Sequence, residues 1–125
     1  MKKGFKVLLA EANAMIEVIS ARDAQALLSD EDTIFVDVRE PHERAEGYIP
    51  GSIHAPRGYL EFIADPEGPM HNPVFTTGKR LVVYCASGGR STLATKTLTE
   101  MGFGQVVNLV GGVQAWVEAG GKLDR

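Results

Sequence analysis

Eleven consecutive residues carry most of the chemical capacity of this chain. Leu81-Val82-Val83-Tyr84 is a short apolar run that ends in Cys85, the only cysteine. Ala86-Ser87-Gly88-Gly89 follows as a small-residue loop, and Arg90-Ser91 opens a helical pattern. A lone cysteine is commonly inert apolar filling. A strand, a glycine pair, an arginine and a helix start around one thiol form a different setting, one that favours an anion at sulfur. The chemistry open to it is nucleophilic: transfer of sulfur or of phosphate through Cys85.

Each neighbour adds a physical reason. Gly88 and Gly89 let successive backbone N–H groups turn inward as an anion nest. The helix start adds partial positive charge, and Arg90 adds a full one. Free cysteine titrates near pH ~8.5, and such surroundings bring thiols down to ~3.5–7.5. A thiolate so placed is both nucleophile and anionic carrier. With one cysteine there is no internal disulfide and no resolving thiol, so any adduct on Cys85 must leave to an external acceptor.

Other polar residues carry less specific signals. Asp37 and Arg39 close an apolar strand that runs toward the same sheet edge. A local ion pair is expected for Arg39, and bracing of neighbouring loops for Asp37. Glu40 and Glu43 read as a solvated helix face. His42, His54 and His71 lack metal-ligand spacing, so no metal site is expected. His54 and Arg57 follow a Pro-Gly turn and are candidates for the pocket rim. Trp116 reads as a packing anchor for the last helix.

These residues need a scaffold, and the chain is long enough to provide one. Its 125 residues suit one compact domain, and 44% apolar content suits a buried core. A formal charge of −3 gives no reason to expect nucleic-acid binding. No run approaches the ~20 apolar residues of a membrane span. Lys2 and Lys3 precede a short apolar run that Glu11 interrupts, so no signal peptide is expected and the expected location is cytoplasmic.

Phe5, Leu8, Leu9, Ala12, Met15, Ile16 and Ile19 share one face of an amphipathic helix. That face is expected to pack on the chain's own domain, the alternative being a dimer or partner contact. Residues 1–17 are read as a helical extension and 18–125 as the domain proper. The pattern then predicts a brief strand at Val18-Ile19, a helix over Ala21–Leu28 capped by Ser20, and a strand over Thr33–Val38. One or two helical turns start at Pro41, a short strand spans Ser52–Ala55, and a short helix follows Gly58. Residues 65–78 read as a loop. A strand over Leu81–Tyr84, a helix over Ser91–Met101, a strand over Val106–Leu109 and a helix over Val113–Ala119 complete the chain. Alternation of strands and helices predicts an α/β fold, with a mostly parallel sheet covered by helices on both faces.

At these residues the sequence resembles the rhodanese-like sulfurtransferase family. Cys85 to Ser91 is similar to that family's active-site loop. Val36-Asp37-Val38-Arg39-Glu40-Pro41-His42-Glu43 resembles its D-V-R-E-x-x-E segment. Gly47-Tyr48-Ile49-Pro50-Gly51-Ser52-Ile53 resembles its G-H-I-P-G-A-I segment, with Tyr48 where histidine is common. Gly111-Gly112-Val113-Gln114-Ala115-Trp116 resembles its G-G-x-x-x-W. Four motifs in order, from about Val18 to Gly120, imply a rhodanese-like fold with five central strands.

The resemblance implies a two-step transfer. Cys85 takes sulfane sulfur from a small anionic donor such as thiosulfate, becomes a persulfide, and passes the sulfur to cyanide, a thiol or another protein. Backbone amides from Ala86, Ser87, Gly88, Gly89, Arg90 and Ser91 are expected to hold the persulfide. No metal or organic cofactor is implied. Four residues separate Cys85 from Arg90, where related phosphatases place a longer loop around phosphate. That shorter cradle favours sulfur over a phosphatase or arsenate reductase activity. The neutral Ala86 and Ser87 weaken the case for thiosulfate, since thiosulfate-specific members often add a basic residue there. A non-catalytic sulfur relay or binding module is the remaining alternative.

Overall fold

Strand β4 (Arg80–Tyr84) is central because its side chains alternate between two apolar clusters. Leu81, Val83 and the following Cys85 enter one cluster, with Val36, Leu60, Ile63, Phe75, Ala94 and Leu98. Val82 and Tyr84 enter the other, with Ala24, Phe35, Leu109, Val113 and Trp116. A strand buried on both faces requires helices on both faces, which fits the near-continuous apolar runs of β4 and β2 (Thr33–Asp37).

The computed structural model describes all residues from Met1 to Arg125. In chain order the remaining elements are α1 (Phe5–Asn13), β1 (Glu17–Ile19), α2 (Ala21–Gln25), α3 (Pro41–Ala45), β3 (Ile53–His54), α4 (Leu60–Ala64), α5 (Gly89–Glu100), β5 (Val106–Leu109) and α6 (Gly112–Glu118). The sheet is wholly parallel, in the order β1-β5-β4-β2-β3. β2 pairs with β4 from Thr33–Arg80 to Asp37–Tyr84, so both strands end at the same edge. Ligands of such sheets bind beyond the carboxyl ends of the strands. Cys85, Val38 and Arg39 all lie there.

Local chemistry sets the element ends. Ser20 Oγ accepts from Asp23 N (3.1 Å) and starts α2, which ends at Gln25 rather than Leu28. Pro41 and the reciprocal bonds between Glu40 and Glu43 start α3. Residues 65–78 are less irregular than the sequence pattern suggests. A 3₁₀ turn over Pro73–Thr76 is capped by the Asn72 side chain, and Phe75 is buried against Phe103.

The N-terminal helix ends at Asn13, so Ile16 and Ile19 do not continue its face. α1 packs along α5, but only Ala12 is fully buried, while Phe5, Leu8 and Met15 stay exposed. No helix is long and apolar enough to cross a membrane.

Candidate active site

α5 begins at Gly89, two residues earlier than the apolar periodicity indicates, so the second half of the loop is already its first turn. Gly88 is the N-cap and takes φ of +112°, a conformation that L side chains rarely adopt. The first amides of a helix have no partner inside it. Here one of them, Ser91 N, donates to Cys85 Sγ (3.3 Å), and Gly88 N donates to the same sulfur (3.2 Å). The two amides between them, Gly89 N and Arg90 N, have no acceptor within the protein. Cys85 itself is buried. A sulfur at the foot of a helix, with two amides on it and two more free beside it, can stabilise negative charge on itself or on an atom bonded to it.

Ser91 adds a hydroxyl. The Cys85 thiol donates to Ser91 Oγ (3.3 Å), and Ser91 Oγ donates to the Gly88 carbonyl (3.2 Å). That carbonyl also accepts from Thr92 N (3.0 Å) and Thr92 Oγ1 (2.7 Å). When the thiol loses its proton, the Ser91 hydroxyl can turn to the sulfur, and Gly88 O keeps two donors.

The loop's carbonyls are fixed from below. Val113 N donates to Cys85 O (2.9 Å) and Gln114 N to Ala86 O (3.1 Å), so the start of α6 holds the outward-facing side of the cradle. Gly112 makes this approach feasible. A β-carbon there would lie 2.6 Å from Ala86 O and closer still to Cys85 O.

Arg90 closes the loop but does not reach into it. Its Nη1 and Nη2 donate to Glu43 Oε1 (2.7 Å) and Oε2 (2.8 Å). Glu43 is therefore not part of a solvated helix face, as its charged neighbours suggest. Its place in the loop-facing turn of α3 brings it across to α5. The hydrogen bonds from Arg90 hold the Glu43 carboxyl down at about 2, and Glu43 in turn raises Arg90.

Asp37 and Arg39 belong to a second, buried cluster on the other face of the sheet edge. Asp37 Oδ1 accepts from Arg39 N and Nε, and Oδ2 from Arg39 Nη2 (2.9 Å) and Arg44 Nη1 (3.2 Å). Burial alone would raise this carboxyl, but the bonds from Arg39 outweigh it and hold it below its ordinary value. Arg39 also donates to Gly47 O (2.7 Å), and Arg44 to Ser52 O (2.7 Å). The buried Tyr84 hydroxyl accepts from Ile49 N and shares a bond with Ser52 Oγ (3.1 Å), while burial pushes its phenol up. This cluster clamps the Gly47–Ser52 turn to the strands. Tyr48 lies under the Arg44 guanidinium, 4.2 Å from its ring centre.

The two rim candidates are tied elsewhere. His54 Nε2 bonds the Arg39 carbonyl (2.7 Å). Arg57 pairs with Glu61 (3.0 Å) and reaches Thr97 of α5 (3.2 Å). Neither bonds the Cys85 loop. His42 and His71 join no cluster of three or more metal-ligating side chains.

Thr92 and Asn108 also support the loop. Asn108 Nδ2 donates to Thr92 Oγ1 (3.0 Å), which donates on to Gly88 O, so β5 braces the N-cap of α5 through two side chains. Nothing in the local pattern marks this pair, because it forms only when α5 packs on β5.

Comparison with known proteins places the chain in a family and a fold. The family model described as the rhodanese-like domain matches residues 20–119. A sulfurtransferase from Allochromatium vinosum is 35% identical, over 83% of this chain and 90% of its own length. A candidate sulfur carrier protein, YrkF, from Bacillus subtilis is 30% identical over 93% of this chain, which spans 58% of it. A tRNA uridine(34) hydroxylase from Agrobacterium fabrum is 34% identical over 80% of this chain, which spans only 31% of that protein. Among solved structures, a Rhodopseudomonas palustris protein of unknown function, described as a possible tyrosine phosphatase, superposes with a TM-score of 0.95. It is 43% identical, with 99% of this chain and 96% of that one covered, so α1 is included in the match. The human single-domain sulfurtransferase TSTD1 superposes with a TM-score of 0.69 at 27% identity, covering 81% and 95% of the two chains.

Proposed function

The chain belongs to the rhodanese-like domain family, and from that premise we propose that it is a sulfurtransferase that carries sulfane sulfur on Cys85. A general role in sulfur transfer or sulfur relay is supported by the relatives. The finer reading rests on one observation: Cys85 Sγ lies under the amides of Gly88 and Ser91, beside the free amides of Gly89 and Arg90.

In the proposed cycle the Cys85 thiolate attacks the outer sulfur of a donor such as thiosulfate. A Cys85–sulfur bond forms, the donor's S–S bond breaks, and sulfite leaves with the electron pair. The outer sulfur of the Cys85 persulfide carries the charge, and Gly89 N and Arg90 N are the donors available to it. Cyanide or a thiol, free or on another protein, then attacks that sulfur and restores the thiolate. The relatives' sulfur chemistry and the four-residue spacing to Arg90 favour this over phosphate hydrolysis. The place proposed for this cycle is the cytoplasm.

Intact mass measurement after incubation with thiosulfate, and separately with an alkyl persulfide, tests the reading. The expected result is a gain of one sulfur atom, lost on adding cyanide and absent in Cys85→Ser. No gain with either donor would overturn it. A relay reading also has support, because YrkF is a candidate sulfur carrier. A relay would gain the sulfur but give no turnover with cyanide.

A further inference from the structure

We propose that Glu43 sets the donor preference of the Cys85 site by masking Arg90, so that donors of low charge, small alkyl persulfides, are favoured over dianions such as thiosulfate. The proposal rests on the persulfide reading above and concerns which donor loads that persulfide.

The argument starts from the positive charge near the loop. Arg90 is the only cationic side chain within residues 85–91. Both ends of its guanidinium fork are on Glu43, at 2.7 and 2.8 Å, so its charge is paired bidentately, with Nε–H and one N–H on each Nη left without a protein acceptor. Glu43 Oε1 also accepts from Glu40 N (3.1 Å), so the carboxylate is fixed from its own helix as well. Bidentate pairing of this kind is the strong form of the interaction. The pair carries no net charge. The other arginines at this edge are also engaged: Arg39 on Asp37 and Gly47 O, Arg44 on Asp37 and Ser52, and Arg57 on Glu61 and Thr97. What faces a donor is therefore mostly neutral amides.

Neutral amides suffice for one sulfur atom. They compensate poorly for a dianion that must leave water, because a full charge taken out of water without a counter-charge is costly. An alkyl persulfide carries at most one charge on its sulfurs. The Cys85 thiolate attacks its outer sulfur, the Cys85–sulfur bond forms, the inner S–S bond breaks, and the alkyl thiolate leaves with the electron pair. Ala86 and Ser87 add no charge that would offset Glu43.

Glu43→Gln tests this, because glutamine at the third helical position retains the capping bond to Glu40 N while removing the charge. The rate of Cys85 persulfidation per unit donor is measured by intact mass with two probes, thiosulfate and 2-hydroxyethyl persulfide. In the native protein 2-hydroxyethyl persulfide is expected to be the faster donor. Glu43→Gln is expected to raise the thiosulfate rate about 10-fold and to change the persulfide rate by less than about 3-fold. The double variant Glu43→Gln/Arg90→Gln is expected to lose the thiosulfate gain, which separates unmasking of Arg90 from a general loosening of α3. Native protein that loads from both donors, with a ratio unchanged in Glu43→Gln, overturns the proposal and leaves the persulfide reading standing. Failure of both probes to load the native protein overturns both.

Discussion

Two polar regions sit at the same edge of the sheet and are built in opposite ways. The Cys85 loop, on the α4–α5 face, uses backbone dipoles: amides of Gly88 and Ser91 on the sulfur, and α6 amides on the loop's carbonyls. The Asp37 cluster, on the other face, uses full charges: Asp37, Arg39 and Arg44, with Tyr84 and Ser52 beside them. The charged region is closed on itself and holds strands and turns together. The dipolar region leaves donors free, so it can accept a new atom. Full charges, once buried, must be paired to be tolerated, whereas the first amides of a helix are unpaired by construction. That is why the side chains with the largest charges are structural here and the chemistry falls to the backbone. Glu43–Arg90 is the one ion pair that joins α3 to the loop.

The largest expected effect comes from breaking the charged region. Asp37→Ala leaves Arg39 buried without its carboxylate and is expected to destabilise the fold by about 3–5 kcal/mol. Urea unfolding measures it; a loss below about 1 kcal/mol would mean the cluster is not a clamp. Ser91→Ala attacks the dipolar region instead. It removes one hydroxyl that can turn to the thiolate while Gly88 O keeps its Thr92 donors. Persulfidation is expected to slow about 10- to 100-fold, the worth of a bond to a charged group, with stability changed by less than about 1 kcal/mol. A stability loss equal to the kinetic one would erase the distinction between the regions.

Acid sharpens the comparison at the link between them. Glu43 is held at about 2 against an ordinary 4.5. A carboxylate lowered on folding stabilises the protein above its unfolded value, and that contribution is lost as pH falls. The Glu43 contribution is therefore complete above about pH 4.5 and lost between there and about pH 2. Acid titration of native protein against Glu43→Gln should show the two converging across that window. Curves that stay parallel would mean the pair does not form in solution. The smallest effect is expected for the exposed pair Lys96–Glu100, which belongs to neither region. Lys96→Ala should alter stability by no more than about 0.5 kcal/mol and leave transfer unchanged.

Much of this was legible because it depends on neighbours in sequence. The apolar runs of β2 and β4, the cap at Ser20, the proline start of α3 and the glycines around Cys85 are local choices, and they specify strands, helices and an anion nest wherever the chain places them. The thiol, its loop and the absence of a resolving cysteine could be read directly. The tertiary structure decided which charges were left for chemistry. Glu43 lies 47 residues from Arg90, and no local pattern could distinguish a solvated carboxylate from one closing an ion pair across two helices. Asn108, Thr92 and Gly88 O are likewise linked only because α5 packs on β5. Strand patterns, caps and helix starts are short-range consequences of side-chain type, whereas the partner of a charge or of a buried polar side chain depends on which group the fold delivers to it.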